Sequence, residues 1–416
     1  MKRKPDESHN RPPQHPRSPR VEPPKPPAGV GVVTIRSVSY GAFIYQKMVD
    51  RVEGNVSDGD IVAVADMRGH LFGWGFYNGQ SPIALRMLSH RPTSAPPTDA
   101  TLRDRVKRAV LLRRDTLALD GHTDAQRLIH AEGDGLSGLI ADRFGDFIVI
   151  ELFSLAMFRR VELIEDALID AGLNVREFVL RADKHIMQQE GFSLPKLAAA
   201  KDRQTDVTEN GVRFRVLLSR GHKTGFFCDQ RENRLALTQF TPGLDVLDVC
   251  CYTGGFACYA AARGRAKTVT AVDLDENALA TAAVNAQLNS VRIDFHHADA
   301  FEFLRQAARD GRRWPVVVVD PSKFVPRRDL MESGLQKYID LNRLACSVVA
   351  PGGLLLTCSC SGLVDGQTFV NSLSRAARFA GRDMQIFRQT GAAADHPVMA
   401  DAPESAYLKA VWARIP

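Results

Sequence analysis

No apolar run in these 416 residues approaches the roughly 20 residues of a membrane-spanning helix. Nor does an apolar core follow the basic residues at the N-terminus, so no signal peptide is expected. All seven cysteines lie between Cys228 and Cys360. An odd number, unevenly spread, excludes a disulfide framework and points to reduced thiols in the cytoplasm. Paired Cys-x-x-Cys hooks are also missing, and Cys358-Ser359-Cys360 has the wrong spacing for one, so no metal site is expected. A global charge field is missing too. The net charge is +6, but residues 1–27 hold seven Lys/Arg against three Asp/Glu, which leaves +2 for the rest. Any nucleic-acid surface must therefore come from local patches or the tail.

What is present is ordinary for a soluble globular chain, 44% hydrophobic and 25% charged, with length for two or three domains. Residues 1–27 contain nine prolines among basic and polar residues. They read as a disordered tail, either solubilising or adding salt-sensitive RNA contacts. From Val30 to Ser89 short strands (Val32–Ile35, Ile61–Val64, Leu71–Phe76, Ile83–Arg86) alternate with Asp-Gly, Arg-Gly and Asn-Gly turns, which predicts a small β-barrel. Its Trp74 and Phe76 are either core rings or a stacking surface for a base. A linker, Ser89–Asp99, precedes a helix over Thr101–Leu119 with six basic residues against two acids. That face is either solvated or in contact with phosphates. Residues 129–200 read as a small α/β unit. Its polar, glycine-rich segment Ala131–Arg143 is suited to a substrate groove or a domain interface. From 205 onward strands and helices alternate, the mark of an open sheet wound on both faces. The expected division is a tail (1–29), a barrel (30–98), a middle α/β domain (99–204) and a cofactor-binding domain (205–416).

The last of these is organised around Val246–Phe256. A buried strand carrying Asp248 runs into Tyr252-Thr253-Gly254-Gly255-Phe256 and then a helix, a small-ligand cradle at the carboxyl edge of a parallel sheet. It is not the Gly-x-Gly-x-x-Gly phosphate grip, which suits a cofactor lacking a pyrophosphate. The next strand ends in Asp273, placed to accept from a ribose diol, and a third apolar run ends in Asp299, placed near an adenine ring. Three acids at successive strand ends predict S-adenosylmethionine; the alternative is a plain nucleotide-binding or dehydrogenase domain.

Two resemblances extend this reading. Gly59–Val64, Gly73–Asn78 and Arg86 resemble the PUA domain, an RNA-binding barrel, with Tyr40–Tyr45 a poorer match. Gly221–Arg231, Tyr252–Phe256, Asp320–Phe324 and Ser359-Cys360-Ser361-Gly362 resemble the bacterial large-subunit rRNA cytosine-C5 methyltransferases. The resemblance covers nearly the whole chain apart from the tail. It implies an α/β fold with a Rossmann-like doubly wound sheet at the C-terminus, a PUA-like barrel and a small middle domain. It also implies a soluble cytoplasmic enzyme that acts on 23S rRNA, with no membrane partner, as a monomer or a homodimer. One departure is Ser322, where that family has a second proline after Asp320-Pro321.

C5 of cytosine is a poor nucleophile, and a thiolate adding to C6 activates it. Cys360, at a strand end in the Ser-Cys-Ser-Gly turn, is the candidate thiol. Asp320 is the candidate for the N3/N4 edge and one of the strand-end acids at the cofactor. Lys323 is placed to lower the energy of the thiolate or bind a phosphate. By resemblance the Gly221–Arg231 loop covers the cofactor, with Gln230 toward its carboxylate or ribose, while His222 and Lys223 either grip phosphates or stay solvated. Cys250, Cys251 and Cys358 read as packing residues. The rivals are a guanine or adenine N-methyltransferase, which needs no covalent step, and a non-catalytic RNA-binding assembly factor.

Overall fold

The structure, a computed structural model, describes residues 24–93, 95–194, 203–218 and 225–416. Nearly all of the proline-rich tail, together with His222 and Lys223, lies outside the described residues.

Six strands, β1 (Val32–Ile35), β2 (Phe43–Tyr45), β3 (Val49–Glu53), β4 (Ile61–Ala65), β5 (Leu71–Tyr77) and β6 (Ile83–Ser89), form one sheet in the order β2-β6-β5-β4-β1-β3. Only β1 and β4 run parallel. Gly73 lets β5 approach β6: a Cβ there would meet the Ser89 carbonyl oxygen at 2.1 Å. Between such close approaches Trp74 and Phe76 are closed to solvent, and the Trp74 indole donates to the Thr93 carbonyl at 3.0 Å. These rings belong to the core and cannot stack on a base. The most exposed ring is Tyr40, at 65%, which packs edge-on to Phe72 and beside His90; Tyr45 is exposed as well.

The basic helix spans Asp99–Leu111 and continues as a wider turn to Thr116. Five of its six cations are engaged within the chain. Arg103 pairs with Asp166 and Asp170, Arg108 with Asp104, and Arg114 with Asp115. Arg105 donates to the Leu88 and Gly135 carbonyls, and Arg113 is fully buried against Asp134. A phosphate-binding face is thereby largely neutralised; Lys107 alone of the six is left without a described ion pair or side-chain hydrogen bond. Behind the helix stands a four-stranded sheet of β7 (Ala125–His130), β8 (Leu139–Phe144), β9 (Phe147–Leu152) and β10 (Glu177–Arg181), in the order β10-β9-β8-β7. One continuous apolar core joins Phe76 and Leu88 of the first sheet to this unit. A hairpin, β11 (Gln204–Glu209) with β12 (Val212–Leu217), turns on Asn210-Gly211, both at positive φ, as a two-residue hairpin loop requires.

The remaining strands are β13 (Asp245–Val249), β14 (Thr268–Asp273), β15 (Asp294–His297), β16 (Trp314–Val319), β17 (Val349–Ser359), β18 (Gln385–Thr390) and β19 (Lys409–Ile415). They form a seven-stranded sheet in the order β15-β14-β13-β16-β17-β19-β18. The first five in that order are parallel, and β19 pairs antiparallel to both β17 and β18. Side chains alternate between two cores. Val246, Val316, Val318, Leu354 and Leu356 enter one, and Leu247, Val249, Val317, Val319 and Leu355 the other. Both faces are covered, which is why these strands read as unbroken apolar runs. Strand order reverses between β13 and β16, the point where open α/β sheets bind ligands at the carboxyl edge.

Candidate active site

The carboxyl end of β13 is held in a costly conformation. Cys250, Tyr252 and Gly254 all have positive φ, at 63°, 50° and 78°. For the two residues with side chains this costs on the order of 1–3 kcal/mol each, strain that collects at ligand sites. The turn delivers the chain into a short helix, Gly255–Cys258, where Asp248 Oδ2 accepts from the Ala257 amide at 2.9 Å. Asp248 is fully buried, and its Oδ1 has no partner among the described residues. Burial pushes this carboxyl up to about 8; the Ala257 amide opposes the rise, and Asp320 and Asp273 add to it. Asp273 accepts from the Tyr252 amide at 2.7 Å and from Asp275 at 2.9 Å. Asp299 caps the helix Ala300–Arg309 through Oδ1. Thr253 is buried with its carbonyl bonded by Asn285, and Phe256 is packed into the core.

Val319 of β16 pairs with Thr357 of β17, so the two strands leave the sheet side by side toward Asp320 and Cys360. Gln230, buried, donates to Asp320 Oδ2 at 3.1 Å and accepts from Asn233 at 2.7 Å. Its amide is thus engaged in holding Asp320. The Cys360 thiol is partly exposed, lies 3.9 Å from the Pro321 carbonyl oxygen, and packs on the same apolar face as Asp248's neighbours Phe256 and Ala257. Cys358 is fully buried, and burial, with Asp320 nearby, pushes its thiol well above the ordinary range. Of the two, only Cys360 is open to a reactant.

Behind the thiol turn the two flanking serines face the other way. Ser359 Oγ donates to Tyr338 Oη at 2.9 Å, Ser361 Oγ is 3.0 Å from the same hydroxyl, and the Val325 amide donates to Ser361 Oγ at 3.1 Å. Tyr338 comes from the helix Met331–Val348. That helix approaches the Asp320 turn at Gly334, where a Cβ would meet Phe324 O at 2.5 Å. The Asp320 turn and the thiol turn are thereby fastened to one buried hydroxyl. Ser322 and Lys323 are exposed on the rim of the first turn.

A buried ionic seam lies next to this edge. Arg127 pairs with Asp142, and Arg231 with Asp395 at 2.9 Å. Asp395 also accepts from the Arg127 amide and pairs with His396, both at 2.9 Å. Arg113 forks onto both oxygens of Asp134, at 2.7 and 2.8 Å, and Arg234 does the same to Glu209. Burial works against the Asp395 carboxylate, but His396 and Arg231 outweigh it and hold its pKa well below the usual range. Burial, then Arg127, drives His130 down to about 2, so it is neutral and accepts from Arg127 at 2.9 Å. Asp134 and Asp142 come from the polar Ala131–Arg143 segment, whose Glu132, Gly135 and Ser137 also line a surface pocket with His90 and Asp401.

Comparison with known proteins supports the same assignment. Residues 150–413 match a family profile described as S-adenosylmethionine-dependent methyltransferase, and residues 42–90 match a PUA-like domain. The chain belongs to the S-adenosylmethionine-dependent methyltransferases. It is 37% identical to the ribosomal RNA large subunit methyltransferase I of Aeromonas hydrophila, over 89% of this chain and 94% of that one. It is 36% identical to the protein of the same name from Photobacterium profundum, over 88% and 93%. In fold it is similar to a methyltransferase from Streptococcus mutans, with a TM-score of 0.77 at 20% identity, covering 92% of this chain and 99% of that chain.

The residues present fit the family's cofactor. The orphaned Asp248 oxygen, the positive-φ turn and the spare acceptor capacity of Asp273 and Asp299 make a polar cradle at the strand-order reversal. Among the described residues no group of His, Cys, Asp and Glu could hold a metal ion, and no helix is long and apolar enough to cross a membrane. Sequence reasoning missed two residues, Tyr338 and Lys409. Tyr338 carries no local signal. Lys409 does: it is a cation at the head of the apolar strand β19 (Lys409–Ile415), whose other charge, Arg414, lies near the far end.

Proposed function

We propose that this chain methylates C5 of a cytidine in the RNA of the large ribosomal subunit, 23S rRNA, in the cytoplasm, with Cys360 as covalent nucleophile. The observation that carries the proposal is the partly exposed Cys360 thiol against the Pro321 carbonyl, beside Asp320 and on the apolar face that includes the cradle helix. The names of its relatives support the substrate class, and the PUA-like region supports an RNA partner. On the first sheet, exposed Tyr40 offers a ring for base contact in place of Trp74 and Phe76.

S-adenosylmethionine, held by Asp248, Tyr252–Phe256, Asp273 and Asp299, supplies an electrophilic methyl group. The Cys360 thiolate adds to C6, forming the S–C6 bond and moving the C5–C6 π pair toward C5 and the N3 edge. Asp320, oriented by Gln230, stabilises charge at N3/N4. Once C5 is methylated, removal of its proton by a base returns the pair to C5–C6, and the thiolate leaves by elimination. Tyr338 and the two serines keep the thiol turn rigid while the base is held.

Incubation of the purified chain with S-adenosylmethionine and unmodified 23S rRNA, followed by nucleoside mass spectrometry, tests the proposal. The expected product is 5-methylcytidine. A methylated guanosine or adenosine would replace this reading with an N-methyltransferase, and no product would favour a binding factor.

A further inference from the structure

Strand β19 runs back through the sheet beside β17 and places Lys409 opposite Ser359. Its Nζ donates to the Ser361 carbonyl oxygen at 2.6 Å and to the Tyr407 carbonyl oxygen at 2.7 Å. The amine is therefore fixed against the residue that follows Cys360, while the backbone of Lys409 pairs with the residue that precedes it. Two carbonyls use two of its N–H groups. Among the described residues the third position is uncommitted: an N–H in the ammonium, a lone pair in the amine. Neutral and charged forms can thus both sit in the same two bonds.

The surroundings ask for such a group. Asp320 and Cys360 both bear electrostatically on Cys358, so a thiolate at Cys360 forms close to a carboxylate. Beneath the turn lies the Tyr338 hydroxyl, itself within reach of the Cys360 charge. Asp365 follows on the same loop, and Lys323 stands on the Asp320 turn. Lys323 is exposed and so screened by water, whereas Lys409 is half-buried. Burial lowers the Lys409 ammonium to about 8; Cys360 and Asp365 raise it, and Lys323 adds to the lowering. A lysine in that range exchanges its proton readily near neutral pH.

We propose that Lys409 takes the Cys360 proton and remains as the ion-pair partner of the thiolate. The S–H bond breaks with its electron pair left on sulfur, and the proton bonds to the Nζ lone pair, so charge and atoms balance. This rests on Cys360 being the nucleophile, and it assigns the group that prepares it.

The test reads the thiol without RNA or cofactor. The folded chain is alkylated with iodoacetamide across pH, and modification of the Cys360 peptide is followed by mass spectrometry. In the natural chain the rate should inflect below the roughly 8.5 of an ordinary thiol. Lys409→Gln should move the inflection upward by at least about one unit, a roughly tenfold loss of thiolate at neutral pH. A brace that only shaped the turn would change the rate equally at all pH values. An inflection that coincides in the two proteins overturns the proposal.

Should Lys409→Gln not fold, the reciprocal measurement serves. In Cys360→Ala the acylation of Lys409 by an amine-reactive ester should inflect at lower pH than in the natural chain, and an unchanged inflection again overturns it. Retained methyl transfer in Cys360→Ala would instead remove the nucleophile reading itself, so the two failures are distinct.

Discussion

At the carboxyl edge of the seven-stranded sheet, polar groups sit on turns at the ends of apolar strands, and several keep unspent capacity. Asp248 has an orphaned oxygen, Asp299 uses one oxygen of two, and Cys360 is partly open. In the seam a few residues away, polar groups are buried in closed pairs. Arg231 meets Asp395, Arg127 meets Asp142, and Arg234 meets Glu209 with two bonds. The first region carries groups able to act on something else. The second spends its charge on itself and fixes the middle sheet and the hairpin to the sheet that carries the site.

Changes to the two regions should therefore fail in different ways. The largest effect is expected at the edge. Asp320→Asn should lower kcat on the order of 10²–10⁴-fold while leaving the melting temperature nearly unchanged, measured by methyl transfer and calorimetry on one preparation. Asp395→Ala should do the reverse. It leaves the buried Arg231 guanidinium with only the half-exposed Glu232 as a partner, which costs about 3–5 kcal/mol in denaturant unfolding, and activity per folded molecule should survive. If Asp395→Ala were neutral in stability, the seam would not be the fastening described here.

Tyr338→Phe lies between the two classes. It removes the hydroxyl shared by Ser359 and Ser361. The expected cost is about 1–3 kcal/mol of stability, with a fall in kcat at unchanged KM, because the turn loosens without losing a substrate contact. Equal effects on kcat and KM would place Tyr338 in contact with RNA.

The last effect is one of pH and concerns Asp248. Its folded pKa, about 8, lies above the ordinary carboxylate value of 3.8, so between the two the native state holds a proton that the unfolded chain releases. The resulting stability is fully present below the unfolded pKa and is lost as pH rises through the folded one. Unfolding of the cofactor-free chain should show this decline, and Asp248→Asn should flatten it. A decline of the same slope in the variant would assign it to other groups.

How far the sequence reveals each region follows from the range of the interactions. The cradle is local. Asp248, the Tyr252–Gly255 turn and the following helix lie within about a dozen residues, and their apolar-strand, glycine-turn pattern is readable directly. The doubly wound sheet is legible for the same reason, since strands buried on both faces announce themselves. Short-range pattern cannot show which ring faces outward in a twisted sheet. Trp74 and Phe76 alternate as a stacking strand would, yet both fill the core, and it is Tyr40 and Tyr45, in the segment with the poorer family match, that are exposed. The seam is less legible still. Arg231 and Asp395 are far apart in the chain, as are Arg113 and the Asp395 carbonyl. Each looks like an ordinary surface charge until the fold buries it. Lys409 lies between these extremes: a cation at the head of an apolar strand is visible, but its place against the thiol turn depends on antiparallel β19 returning beside β17.

The account depends on the sulfur of Cys360 bonding to the pyrimidine. The most direct measurement is to incubate the chain with S-adenosylmethionine and 23S rRNA containing 5-fluorocytidine, which lacks the C5 proton whose removal permits elimination, and then sequence the RNA-linked peptide by mass spectrometry. The account predicts a stable adduct on the peptide containing Cys360 and none in Cys360→Ala. Methylation of natural cytidine by a chain that forms no such adduct, or an adduct mapped to Cys358 or Cys250, would contradict it.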